Sequence, residues 1–132
     1  MTIQQLSVFL ENRAGQLCEI TELLAQSGID MHAINIAETA DYGIARLIVD
    51  NPRRAAELLS ERGYVLRATP VVQTPVPNRP GGLNELLRAV AEAGIDIEYM
   101  YSAFMGQMNG LAYMILRVED IEKLNAVLAG LG

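Results

Sequence analysis

The sequence predicts an α+β fold built from two copies of one small module, each an antiparallel sheet with helices on one face. Three observations carry this. The chain repeats itself at a fixed offset, each copy shows the same order of strand-like and helix-like patterns, and about half of the residues (51%) are apolar. With two Phe and no Trp, the core must be aliphatic.

The repeat appears when the chain is aligned to itself with a shift of 66. Asn12, Arg13, Gly15, Leu17, Glu19, Ala25, Gly28, Ile29 and Asp30 then meet Asn78, Arg79, Gly81, Leu83, Glu85, Ala91, Gly94, Ile95 and Asp96, nine identities in nineteen positions without a gap. Beyond Gly43 the shift becomes 67, setting "GIARLIV" against "GLAYMIL", as one inserted turn residue would produce.

Each copy reads in the same order. Residues 3–10 form a strand candidate and "ENRAG" a loop. A helix over 16–27 places Leu17, Ile20, Leu23 and Leu24 on one face. Gly28 ends it as a left-handed glycine would. Residues 31–38 alternate as a strand, "TADYG" turns, and 43–49 is a second β-rich run. Pro52 opens a helix that aligns Ala55, Leu58, Leu59 and Arg62, Gly63 stops it, and a strand follows from about Tyr64. The second copy gives a strand at 70–76, a helix at 82–93 with Leu83, Leu86, Leu87 and Val90, strands near 96–104 and 111–118, and a helix at 119–130.

The order β-α-β-β-α is the split βαβ of a ferredoxin-like (βαββαβ) sandwich. We place the units at 1–68 and 69–132. The second lacks its own last strand, so segment 64–76 must close one unit and open the other, with Pro70 and Pro75 as breaks or edges. An unfilled edge invites pairing of the two sheets, within a chain or between chains.

Composition excludes several functions. The net charge is −6, the two halves carry five bases with nine acids and five bases with seven acids, and there is one Lys. Nucleic acid needs clustered cations, and an acidic surface disfavours anionic membranes. One cysteine, Cys18, and one histidine, His32, leave no disulfide, no metal cluster and no catalytic pairing. No P-loop or Rossmann fingerprint is present. Cys18 reads as a small packing residue, His32 as a strand residue, and "YMYSAFMGQM" at 99–108 as a pocket wall or a buried strand face. Without a basic leader or a long apolar run, we expect a cytoplasmic protein with neither catalytic residues nor a cofactor.

The repeated Asn-Arg-x-Gly loop is where ligand chemistry is expected. A helix start presents unpaired N–H groups and partial positive charge, both suited to a carboxylate. Gly15 and Gly81 leave room for an approaching ligand. Asn12 and Asn78 can donate and accept, and Asp30 and Asp96 can pair with an ammonium. Ordinary capping and turn roles account for the same residues.

"ENRAGQLCEITELLAQSGIDMHAINI" and "NRPGGL" resemble the opening half of an ACT domain, a small regulatory module that binds amino acids, and most closely that of serine-regulated phosphoglycerate dehydrogenase. The resemblance covers nearly all of both units, with Ala14 replacing the motif proline in the first copy and Pro80 keeping it in the second. It implies a ligand site where the loop of one unit faces the second strand of a neighbour. That implicates Asn12, Arg13, Ala14, Gly15, Gln16 and Leu17 with Ile29 and Asp30, and equally Asn78, Arg79, Pro80, Gly81, Gly82 and Leu83 with Ile95 and Asp96. Asp stands where the family often has Asn, which disfavours acidic amino acids. The resemblance implies a non-catalytic, dimerising regulator of an amino-acid enzyme. The alternative is an ACT module that assembles a partner enzyme and binds no ligand.

Overall fold

The computed structural model describes residues 1–11, 13–38, 42–104 and 110–131. The elements, in order, are β1 (Thr2–Glu11), α1 (Gln16–Gln26), β2 (Met31–Glu38), β3 (Tyr42–Val49), α2 (Pro52–Glu61), β4 (Leu66–Pro77), α3 (Gly82–Glu92), β5 (Tyr99–Ser102), β6 (Leu111–Arg117) and α4 (Ile121–Leu131). They group into two compact units, residues 4–69 and residues 1–3 with 70–132. β1 and β4 each contribute residues to both units.

In the 4–69 unit β3 lies between β2 and β1, antiparallel to each, with Leu6 opposite Leu47 and Ile34 opposite Leu47 on the other side. The period-2 pattern of β1 puts Leu6, Val8 and Leu10 on one face. There they meet Ala45, Leu47 and Val49 of β3, Ile20, Leu23 and Leu24 of α1, and Ala55 and Leu59 of α2. Both helices therefore cover the same sheet face. The N–H of Phe9 donates to Val65 O at 2.9 Å, bringing the lead-in of β4 to the free side of β1. Asn51 caps α2 by accepting from the N–H of Arg54 at 3.2 Å, with Pro52 in the first turn as expected.

In the other unit β6 lies between β4 and β5, with Val72 opposite Leu116 and Tyr101 opposite Ile115. Val72, Val76, Leu116, Val118, Leu86, Val90 and Leu124 form its core. Residues 1–3 line its β4 edge. The N–H of Gln73 donates to Met1 O at 2.8 Å, the Met1 ammonium donates back to Gln73 O at 3.0 Å, and Asn125 Nδ2 donates to Thr2 Oγ1 at 3.0 Å.

Two sequence expectations need correction. β4 is not broken at Pro70 or Pro75. Pro70 precedes the first registered pair with β6, and Pro75 shares the orientation of Gln73, whose N–H points to Met1 and away from β6. The missing proline donor therefore costs the β4–β6 ladder nothing. Cys18 is exposed, not packed. The turn at 39–41 and residues 105–108 of the aromatic and Met-rich stretch lie outside the described residues.

Candidate functional site

Both motif loops deliver the chain into a helix in the same way. Gly15 and Gly81 are the N-cap residues of α1 and α3, with φ of +82° and +86°, and neither helix receives a side-chain cap. Positive φ is the reason for glycine at these two positions. In α3 the N–H of Gly82 already donates to Arg79 O at 3.0 Å, while a helix start without a side-chain cap, as in α1, leaves first-turn N–H groups for an outside acceptor. Asn12 lies outside the described residues. Asn78 is held by its backbone, its N–H donating to Gly110 O at 2.7 Å.

The motif arginines brace these loops. Arg79 Nη2 donates to Glu85 Oε1 at 3.0 Å and to Oε2 at 3.3 Å. Arg13 stands 3.6 Å from Glu11 and 3.9 Å from Glu19. Both partners are exposed, so each pair is worth at most about 1 kcal/mol. The signal was in the repeat, since Arg and the Glu six residues later recur together.

Gln16 sets the first loop apart. It is only 6% exposed, and among the described residues its Oε1 has no hydrogen-bond partner. A buried orphan acceptor costs roughly 1–3 kcal/mol. Gln16 lines a cavity of about 140 Å³ together with Arg13 and Leu17 of the loop and helix start, Leu10 of β1, Ile36 of β2 and Tyr42 of β3. Tyr42 also rests against Phe9, ring centroids 6.1 Å apart. Sequence reasoning missed Leu10, Ile36 and Tyr42, which no local motif marks. Ala14 is exposed beside this cavity-forming stretch.

The residues beyond the helices lie elsewhere. Ile29 is buried in the core, and the Asp30 carboxylate is exposed, 3.7 Å from His32 Nε2. The Asp30 N–H donates to Asp50 Oδ1 at 3.1 Å. An eleven-residue helix separates Asp30 from the Arg13–Leu17 loop, a rise of roughly 16 Å. One unit therefore does not bring them onto one small ligand. The same holds in the other unit, where Ile95 packs against the core and Asp96 is exposed at the far end of α3. In the second loop Arg79, Pro80, Gly81 and Leu83 are exposed while Gly82 is buried. Among the described residues, no group of three or more His, Cys, Asp or Glu is arranged for a metal ion. No helix among them is long and apolar enough to cross a membrane.

One ionisable group is displaced. Tyr64 Oη donates to Glu19 Oε1 at 2.6 Å, and its pKa is pushed up to about 12, first by burial and then by that hydrogen bond. The raised folded value means the stabilisation is fully present below the unfolded tyrosine value near 10 and is lost as pH rises through about 12. In an absorbance titration at alkaline pH, Tyr64 should ionise late, so Tyr64→Phe should lose amplitude near pH 12. Amplitude lost only near pH 10 in that variant would contradict the assignment.

Comparison with known proteins bears on both units. The family profile described as an ACT domain pair matches residues 1–130. A crystal structure of a protein from Bacteroides thetaiotaomicron is 40% identical, with a TM-score of 0.90 over 98% of this chain and 88% of that one. The ligand-free regulatory subunit of aspartate kinase from Thermus thermophilus is 16% identical, with a TM-score of 0.70 over 99% of this chain and 95% of that one. The corresponding subunit from Thermus flavus is 17% identical, with a TM-score of 0.62 over 100% and 96%. No curated protein matches. Two ferredoxin-like units, each opening its first helix from an Asn-Arg-x-Gly loop, and a profile spanning both, place this chain in the ACT domain pair family.

Proposed function

We propose that this chain is a non-catalytic regulatory protein that binds a small free amino acid, or a similar metabolite, at the Arg13–Leu17 loop. The observation that carries this is the buried Gln16 Oε1 without a partner, beside a helix start without a side-chain cap. An amino acid answers both needs. Its ammonium donates to Gln16 Oε1, and its carboxylate takes the first-turn N–H groups with Arg13 nearby. A cavity of about 140 Å³ suits a small side chain. The neighbouring aspartate kinase structures are regulatory subunits by their descriptions, which supports a regulatory role.

The units 1–68 and 69–132 then act as two modules of a cytoplasmic homodimer that signals to an enzyme of amino-acid metabolism. Ligand bound differently by two arrangements of the modules would shift the balance between them. In the family arrangement Ile29 and Asp30, or Ile95 and Asp96, complete the site from a neighbouring copy.

Thermal denaturation with each of the twenty amino acids tests this. A ligand at about 100 times its Kd adds roughly 2.7 kcal/mol of stability. Gln16→Met removes the acceptor at similar volume. It should weaken the best ligand about tenfold and stabilise the free protein by about 1 kcal/mol. Absence of any amino-acid shift, or unchanged affinity in Gln16→Met, would sink this reading.

A further inference from the structure

Side-chain size along β3 leaves one layer of the 4–69 core unfilled. Alternate residues Gly43, Ala45, Leu47 and Val49 share the face that the helices cover. Two layers there are complete across the sheet. Leu47 lies between Leu6 and Ile34, and Ala45 lies between Val8 and Ile36. The next layer sets Gly43 opposite Leu10. With no side chain at 43, the space between this end of the sheet and the Gln16–Leu17 start of α1 stays open as the cavity of about 140 Å³. Ile36 reports the same gap. It shares the register of the core residue Ala45, yet it is 40% exposed.

The backbone does not require a glycine at this point. Gly43 is not among the residues with positive φ, whereas Gly110, its repeat counterpart, has φ of +73°. A Cβ at 43 would meet Ala37 O at 3.6 Å and Leu10 Cβ at 3.8 Å, which are ordinary contacts. Glycine weakens a strand, and one with neither a conformational nor a steric need marks a place where something approaches the sheet closely.

We propose that this unfilled layer is the side-chain pocket for the ligand at Gln16, and that it selects a small branched aliphatic amino acid of the size of valine. This assignment rests on the amino-acid reading of the Arg13–Leu17 loop and adds the side chain to it. Gln16 Oε1 and the start of α1 take the ammonium and the carboxylate. The side chain is then left with Leu10, Leu17, Ile36 and the bare backbone of Gly43. The cavity equals roughly five waters at about 30 Å³ each, room for a main chain and about three further carbons. Leu10, Leu17 and Ile36 offer no partner to a hydroxyl. Glu11, exposed beside the cavity, repels an acidic side chain.

Isothermal titration of valine, alanine, threonine and glutamate into the whole chain is the test. Valine should bind about tenfold more tightly than alanine, since it buries two more carbons. It should exceed threonine, its hydroxylated isostere, by about tenfold or more. Glutamate should give no binding heat. Gly43→Ala puts one carbon into the layer without a clash. It should weaken valine about tenfold and leave alanine unchanged. Ile36→Ser, at an exposed position, should also erase the preference for valine, and it gives the same readout if Gly43→Ala disturbs folding. The pocket assignment alone fails if Gln16→Met weakens the bound amino acid but threonine or glutamate matches valine. It also fails alone if both variants keep the parent's ratio of valine to alanine. If no amino acid binds, the loop reading falls and the pocket assignment falls with it.

Discussion

Gly82→Ala should lose about 3 kcal/mol of stability, at the upper end of ordinary overpacking. The second residue of the Gly-Gly pair is buried at the start of α3, and a Cβ there would overlap the carbonyl oxygen of Pro77. The obstacle is backbone at the end of β4, so no rotamer change relieves it. Either the strand end or the first turn of α3 must move, and that turn also carries the Arg79–Glu85 brace. Gly81→Ala is the control. Its added Cβ meets nothing within 4 Å, so it incurs only the left-handed strain of about 1 kcal/mol. Urea denaturation followed by far-UV circular dichroism should rank Gly82→Ala well below Gly81→Ala, and a Gly82→Ala midpoint equal to the parent would refute the contact.

Leu59→Ala should cost about 3 kcal/mol, within the range for emptying a closed site in a core. Leu59 is 0% exposed and sits among Ile20, Leu24 and Ala55. Its carbonyl also receives the N–H of Tyr64 at 3.0 Å, and Tyr64 packs against the same core. Leu128, one helical turn after the buried Leu124 as Leu59 is after Ala55, is only partly buried and borders an open cleft of about 450 Å³. Leu128→Ala enlarges a space already open to water and should cost about 1 kcal/mol. Equal losses in the two variants would mean that the cleft closes in solution.

The elements were legible because the repeat doubled every signal. β2 spans residues 31–38 as expected, and α1, α3 and β6 differ from expectation by about a residue at their ends. β5 is shorter, Tyr99–Ser102 in place of 96–104, because only that stretch registers with β6. The role of residues 1–3 was not legible, since three residues carry no periodicity and their partners are 72 and 123 positions away. Nor was the Tyr64–Glu19 bond, which joins residues 45 apart. At the loop, the helix start and its glycines could be read directly. The burial of Gln16 could not, because a glutamine opening a helix looks like a solvated polar residue until the strands of its unit close over it.

The use of residues 1–3 has a consequence for the order of events during synthesis. Residues 4–69 can complete their unit once residue 69 has left the ribosome. Residues 1–3, made before that unit, belong to the other one, and the Thr2–Asn125 bond spans 123 positions. Residues 1–3 must therefore wait for their partners until residue 125 has been made, and a peptide of residues 70–132 alone would lack that edge altogether.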